Sequence, residues 1–334
     1  MVPVKGFIWG KSMKKKLLIN GFIIAFAFLI FATWYQNCIL NKKSVSASNQ
    51  NQSYTVYLIT MDKETNFWDI MNQGATDMAN LIGVNYIWSA PQKRVPEEQI
   101  QIFNQAVERG ADAILLSASD PLGISSAVED AKAKGVKIIY VDAPANEEGV
   151  VTLATENYNA GRIAGEKMLS ELGAAGITNG SIGIIDVTPE SLNTVDRAIG
   201  FRDVLLKDGR FELLDTRYIG AEEKQIEKEV TQLIDETSNL VGLFATNENT
   251  TIGTGNAIQA SEKKPIGIGF DYNEQTKVLL KNNALNAVLN QNPYTMGYLG
   301  MAEAIAALKG YKTGPSFINT GVSVIDKYTP SRDR

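Results

Sequence analysis

From residue 54 onward, short apolar runs alternate with amphipathic stretches, and that alternation decides the fold class. Tyr54–Thr60 (YTVYLIT), Val84–Trp88, Asp112–Leu116, Val136–Val141, Ser181–Val187, Leu213–Ile219, Leu240–Ala245 and Pro265–Phe270 are short, apolar and rich in β-formers, as buried strands are. Helical stretches lie between them. Phe67–Ile82 carries Phe67, Ile70, Met71, Ala75, Met78 and Ile82 at helical spacing. Glu97–Arg109 is entered through Pro96 and ended by Gly110. Pro121–Lys134, Ala160–Leu172, Asn193–Lys207, Glu222–Glu236 and Thr250–Ser261 continue the series. Such a pattern predicts an α/β chain of parallel sheets with right-handed crossovers.

An internal repeat divides this body into two Rossmann-like lobes. Residues 112–142 (DAILLSASDPLGISSAVEDAKAKGVKIIYVD) resemble residues 240–271 (LVGLFATNENTTIGTGNAIQASEKKPIGIGFD). Each copy reads strand, polar segment, helix, strand and a terminal Asp. The shared Asp is the informative part, because ligands of open α/β sheets bind outside the carboxyl ends of the strands.

Composition removes several classes of function. The 334 residues contain no histidine, which excludes Ser-His-Asp and Cys-His devices and every His-ligated metal site. Cys38 is the one cysteine, so neither an intrachain disulfide nor a Cys cluster can form. A formal net charge of −5 argues against a nucleic-acid partner. No metal, cofactor or catalytic residue is expected, and the chain is read as a binding protein rather than an enzyme.

The N-terminal residues read as an address. Lys14, Lys15 and Lys16 precede an uncharged run whose apolar part, Leu17–Tyr35, is 19 residues long. As a helix it would cover roughly 28 Å, close to the hydrocarbon thickness of a bilayer. Trp34 and Tyr35 stand at its far end, where interfacial aromatics belong. The lysines place residues 1–16 in the cytoplasm, 17–40 as a membrane anchor and everything after it outside. Residues 41–53 (NKKSVSASNQNQS) read as a flexible spacer. Two other readings stay open: a cleaved signal peptide ending near Val45-Ser46-Ala47, and lipidation at Cys38.

Candidate ligand residues sit at element ends. Asp142 and Asp271 each follow an apolar strand, and a carboxylate can accept from two neighbouring hydroxyls. Capping of the next helix or turn would explain them equally well. Phe67 and Trp68 open a helix and could stack on the C–H face of a sugar ring or simply fill the core. Arg197 offers a fork of donors, or is a solvated helix residue. Asn247 and Gln291, just past strands, present both donor and acceptor.

Eight ordered segments carry a resemblance. They are NFWDIMNQGA (66–75), GADAILLSASDP (110–121), GVKIIYVDAP (135–144), ATENYNAGRIAGEKM (154–168), DRAIGFRDVL (196–205), LFATNENTTIGTGNAIQ (243–259), IGIGFDYN (266–273) and NQNPYTMGYLG (290–300). Over residues 54–326 the chain resembles the ribose-binding-protein-like (type I) periplasmic sugar-binding family. The resemblance implies ligand contacts at Phe67, Trp68, Asp142, Arg197, Asn247, Asp271 and Gln291. It implies lobe one at 54–155 plus 292–319, and lobe two at 156–291 plus 320–330. A three-strand hinge would cross near Thr155–Asn157, Gln291–Asn292 and Asn319–Gly321. Two positions depart from the ribose-like pattern: Ala143 stands where a pocket arginine often follows the first Asp, and Ala221 where an aromatic often lies.

With its anchor, the whole chain resembles membrane-anchored xylose-binding sensor proteins that work with a LytS-type histidine kinase. This implies a monosaccharide ligand, D-xylose in the first instance, and a sensor-kinase partner in the cell membrane. The alternative partner is the permease of a sugar ABC transporter.

Overall fold

The computed structural model describes residues 31–33, 35–36 and 54–329. The expected cytoplasmic, membrane-spanning and spacer segments otherwise lie outside the described residues. No described helix is long and apolar enough to cross a membrane.

The elements run β1 (Thr55–Ile59), α1 (Asn66–Ile82), β2 (Asn85–Ser89), α2 (Pro96–Glu108), β3 (Ala113–Leu116), α3 (Ser125–Ala133), β4 (Lys137–Val141), β5 (Thr152–Ala154) and α4 (Asn157–Ala174). They continue with β6 (Gly180–Asp186), α5 (Leu192–Asp208), β7 (Phe211–Leu213), β8 (Arg217–Tyr218), α6 (Glu223–Glu236), β9 (Leu240–Ala245), α7 (Glu248–Ala260), β10 (Ile266–Phe270), α8 (Glu274–Lys281), β11 (Ala287–Gln291), α9 (Pro293–Leu308), β12 (Phe317–Asn319) and β13 (Val322–Asp326).

Two sheets result. The first has the order β12-β5-β4-β3-β1-β2, the second β13-β11-β10-β9-β6-β7, with β8 also paired to β6. Every pairing is parallel except β11 with β13. Helices cover both faces of each sheet, so the strands are apolar on both sides, as parallel sheets require. In β1, Val56 and Leu58 pack with Met71 and Met301, whereas Tyr57 and Ile59 pack with Phe103 and Val128. In β6, Ile182 and Ile184 join Met168 and Phe201, whereas Ile185 joins Ile226 and Leu233.

The sequence reading misses or misdraws some elements. The strand expected over Leu213–Ile219 is two short pieces, β7 and β8: Leu214 N still donates to Ile182 O of β6, and the ladder breaks after it. The helix expected from Pro121 begins at Ser125. Asp120 explains the delay: its Oδ1 accepts from the N–H groups of Leu122 and Gly123 and holds a turn there. β5, β12 and β13 are too brief, or too exposed, to show as apolar runs.

The chain passes between the sheets three times, at 155–156, at 292 and at 320–321. The passages lie side by side. Asn292 Nδ2 donates to Thr320 O at 2.6 Å, and Glu156 N donates to Asn319 Oδ1 at 3.3 Å.

The lobes also repeat one helix pair. α1 packs on α9 in the first, α5 on α4 in the second. Gly74 is the ninth residue of α1 and Gly200 the ninth of α5; Tyr294 and Tyr158 are the second residues of α9 and α4. A Cβ on Gly74 would sit 2.1 Å from Tyr294 O, and one on Gly200 2.0 Å from Tyr158 O. Gly297 and Gly161 return the contact to Met71 O and Arg197 O, each at 2.0 Å. Only glycine allows backbones this close.

Candidate functional site

β4 and β10 end alike. The next residue in each, Asp142 and Asp271, has φ of 67°, a left-handed conformation that Asp adopts more readily than most residues. Both N–H groups still reach the adjoining strand, Asp142 N to Leu153 O at 2.8 Å and Asp271 N to Leu289 O at 2.9 Å. Asp271 does not cap the helix that follows it: Asn273 caps α8, with its Oδ1 accepting from Thr276 N. Both carboxyls line a cavity of about 630 Å³ between the lobes.

The seven residues expected to hold ligand, Phe67, Trp68, Asp142, Arg197, Asn247, Asp271 and Gln291, all line that cavity. Phe67 and Trp68 stand in the first turn of α1 with ring centroids 4.9 Å apart, edge to face. They belong to the core of the first lobe and also line the cavity.

Arg197 of α5 is 3% exposed and is not a solvated residue. Its Nε donates to Asn157 Oδ1 at 2.9 Å, Nη1 to Thr246 O at 2.9 Å and Nη2 to Gln291 Oε1 at 2.7 Å. The guanidinium lies over the Phe270 ring, 4.3 Å from its centroid. These bonds use three of its five N–H groups. Gln291 Oε1 also accepts from Thr155 Oγ1 at 2.8 Å, while its Nε2 donates to Asp271 Oδ1 at 2.9 Å. Asn247 is the N-cap of α7, where its Oδ1 accepts from Thr250 N at 3.0 Å, so its free capacity is the amide N–H side.

Electrostatics follow from the burial. Desolvation pushes the Asp142 carboxyl up to about 6 against the pull of Arg197, with nearby Asp271 adding to the rise. Asp271 is likewise raised by burial and held back by Arg197 and by the Gln291 bond. Arg197 is lowered by burial, and Asp271, Asp142 and Asp186 oppose that.

The sequence reading missed Glu248, Asp62 and Arg94, which share the cavity wall. Glu248 is 7% exposed, and burial pushes it up to about 7, with the Asp271 charge adding. Its position beside Asn247 is visible in the sequence, but nothing there shows that it faces the other lobe. Arg94 comes from the β2–α2 loop, where Nη2 donates to Ser119 O at 3.2 Å. Ala143 and Ala221 also line the cavity, so the two departures noted above fall on its wall.

A family model described as "Periplasmic binding protein domain" matches residues 56–312. The chain is a member of the periplasmic binding protein domain family. This binding protein is 25% identical over 268 residues to the ribose import binding protein of Bacillus subtilis (strain 168), covering 80% of this chain and 86% of the relative. It superposes with a TM-score of 0.80 and 29% identity on a carbohydrate transporter solute binding protein from Agrobacterium radiobacter in complex with D-arabinose, covering 84% of this chain and 97% of the other. A solute binding protein from Agrobacterium vitis with bound D-fucose gives 0.75 and 27%, covering 82% and 95%. The two-lobe α/β fold with parallel sheets is that of the family.

Proposed function

We propose that this protein binds one monosaccharide between its lobes and closes on it outside the cytoplasm, without chemistry. The carrying observation is the pair Asp142 and Asp271, one from each lobe, lining one cavity with Arg197, whose charge acts on both. Two carboxylates and a guanidinium suit a ring of hydroxyls: each hydroxyl donates to a carboxylate and can accept from the fork. Phe67 and Trp68 give an apolar wall for the C–H face of the ring. The three adjacent chain passages are the places where rotation of one lobe against the other costs least, and they are assigned as the hinge. Lobes one and two take the residues given above for them.

The ligand class is a pentose or a sugar of similar ring. D-Xylose comes from the anchored-sensor resemblance; D-ribose and D-arabinose come from the proteins this chain is similar to. Calorimetry on the full chain with D-xylose, D-ribose, D-arabinose and D-fucose tests this. Saturable 1:1 binding of at least one is expected, and binding of none would sink the proposal.

Two partners fit the closed form. Similarity to import and transporter binding proteins supports an ABC permease. The apolar stretch Leu17–Tyr35 supports the second reading, a membrane-anchored sensor that presents the closed form to a LytS-type histidine kinase. Sugar-dependent association with one or the other in membranes decides between them: by linkage, the true partner raises sugar affinity by the factor that sugar raises partner affinity.

A further inference from the structure

Helix starts leave backbone N–H groups without intrahelical partners, and a nearby side chain normally supplies the acceptor. α7 and α8 do this locally, each with a complete capping box, Asn247 with Thr250 and Asn273 with Thr276. α1 does not. Its N-cap residue, Thr65, makes no side-chain cap hydrogen bond. The acceptor comes from the other lobe: Asn66 N donates to Glu248 Oε1 at 3.3 Å, across 182 residues of sequence. Glu248 is the first residue of α7 and is steadied within its own lobe by Asn273, whose Nδ2 donates to Oε1 at 3.0 Å.

We propose that Glu248 is an interlobe clasp, a positioning residue that caps α1 only when the lobes are together. The reading rests on the closure proposed above. The cap sits at the start of the helix whose next two residues are Phe67 and Trp68, so it sets the aromatic wall against whatever lies in the cavity. A second interlobe contact runs the opposite way, from Asn193 Nδ2 near the start of α5 to Asp142 O at 3.5 Å. α1 and α5 are thus each tied at their starts to the opposite lobe, but only one tie can ionise.

That difference gives the clasp a signature. Glu248 is pushed up to about 7 by burial first and by the Asp271 charge second, while Asn273 and the N–H groups of Asn66 and Phe67 oppose the rise. Asp271 is the titratable group facing it; its other partners are neutral. Opening the cleft rehydrates Glu248 and returns it towards the ordinary carboxylate range. Closing therefore takes up a proton, and closure strengthens as pH falls through about 7.

The test uses the full chain with a fluorophore on each lobe, first without sugar and then with D-xylose, D-ribose and D-arabinose. Glu248→Gln keeps an acceptor of equal reach and loses the proton; Glu248→Ala loses both. For each sugar that binds, Glu248→Ala should speed dissociation about tenfold with little change in association, as expected for the loss of one buried hydrogen bond. Glu248→Gln should dissociate within about threefold of wild type and lose the pH dependence between about pH 6.5 and 8. The sugar-free closed fraction should fall in Glu248→Ala, and this arm reads out even if no sugar in the panel binds. Wild-type dissociation and closed fraction in Glu248→Ala would overturn the clasp. So would a loss that depends on which sugar is bound, since that marks direct contact with one hydroxyl. A matched thermal midpoint excludes a folding defect; if Glu248→Ala is unstable, the flattened pH profile of Glu248→Gln is decisive alone, and an unchanged profile overturns the proposal.

Discussion

Replacing Arg197 with Met keeps a long, flexible stem and removes the charge and the fork. Asn157 Oδ1 and Thr246 O lose their donor, and Gln291 Oε1 keeps only Thr155. Asp142, Asp186 and Asp271, all buried, lose the cation that opposes their desolvation. Breaking a buried charge pair from one side costs about 3–5 kcal/mol. For a domain of this size that is a fall in Tm of roughly 6–20 °C. The loss should shrink with acid. Without Arg197 the carboxyls are raised further, so the folded variant binds protons that the unfolded chain releases, and its stability recovers as pH falls. Urea unfolding of wild type and variant at about pH 7.5 and about pH 5 measures both effects, since protonation then neutralises the stranded carboxyls. Arg197→Lys should restore most of the pH behaviour but not the planar hydrogen bonds. A loss below about 1 kcal/mol at the higher pH, or an equal loss at both, would show that Arg197 is not the counter-charge described here.

Three further outcomes are expected. Asp271→Asn keeps the left-handed turn and a partner for Gln291 but removes a charged acceptor; sugar affinity measured by calorimetry should fall about tenfold or more, with the fold intact. Gly161→Ala would push α4 off Arg197 O, so thermal unfolding should show a loss of about 1–3 kcal/mol together with weaker binding. Asp142 and Glu248 are raised to about 6 and about 7, so their contribution to stability is present in acid and lost as pH rises through those values; Tm should be higher near pH 5.5 than near pH 8, and a flat profile would refute it.

The fold was largely legible because most buried strands are continuous apolar runs and most helices carry their own period; α8 and α9 escaped the sequence reading, α9 because it is apolar or small nearly all round. The candidate site was legible where a residue ends or follows such a run: Asp142, Asp271 and Gln291 sit at strand ends, and ligands of open α/β sheets in general bind outside those ends. Glu248 was not legible, because its acceptor role depends on a lobe 182 residues away. Arg94 was hidden for a related reason: it lies in a polar loop after β2 and reaches the cavity only through the way that loop folds back on Ser119. Phe67 and Trp68 resisted assignment because packing and wall-building ask for the same residue type at the same helical spacing.

The φ of 67° at Asp142 and Asp271 also constrains how such a protein can drift towards a new sugar. A side chain forced into the left-handed region costs roughly 1–2 kcal/mol, with Gly exempt and Asn and Asp least penalised. The substitution alphabet at these two sites is therefore nearly closed: Asn and Gly are cheap, whereas Glu, Gln, Ser and Thr are strained before any ligand enters. New specificity has to be written around the two aspartates, at neighbours on ordinary backbone. Ala143 and Ala221 are such places, since each lines the cavity and leaves volume that a larger side chain could claim.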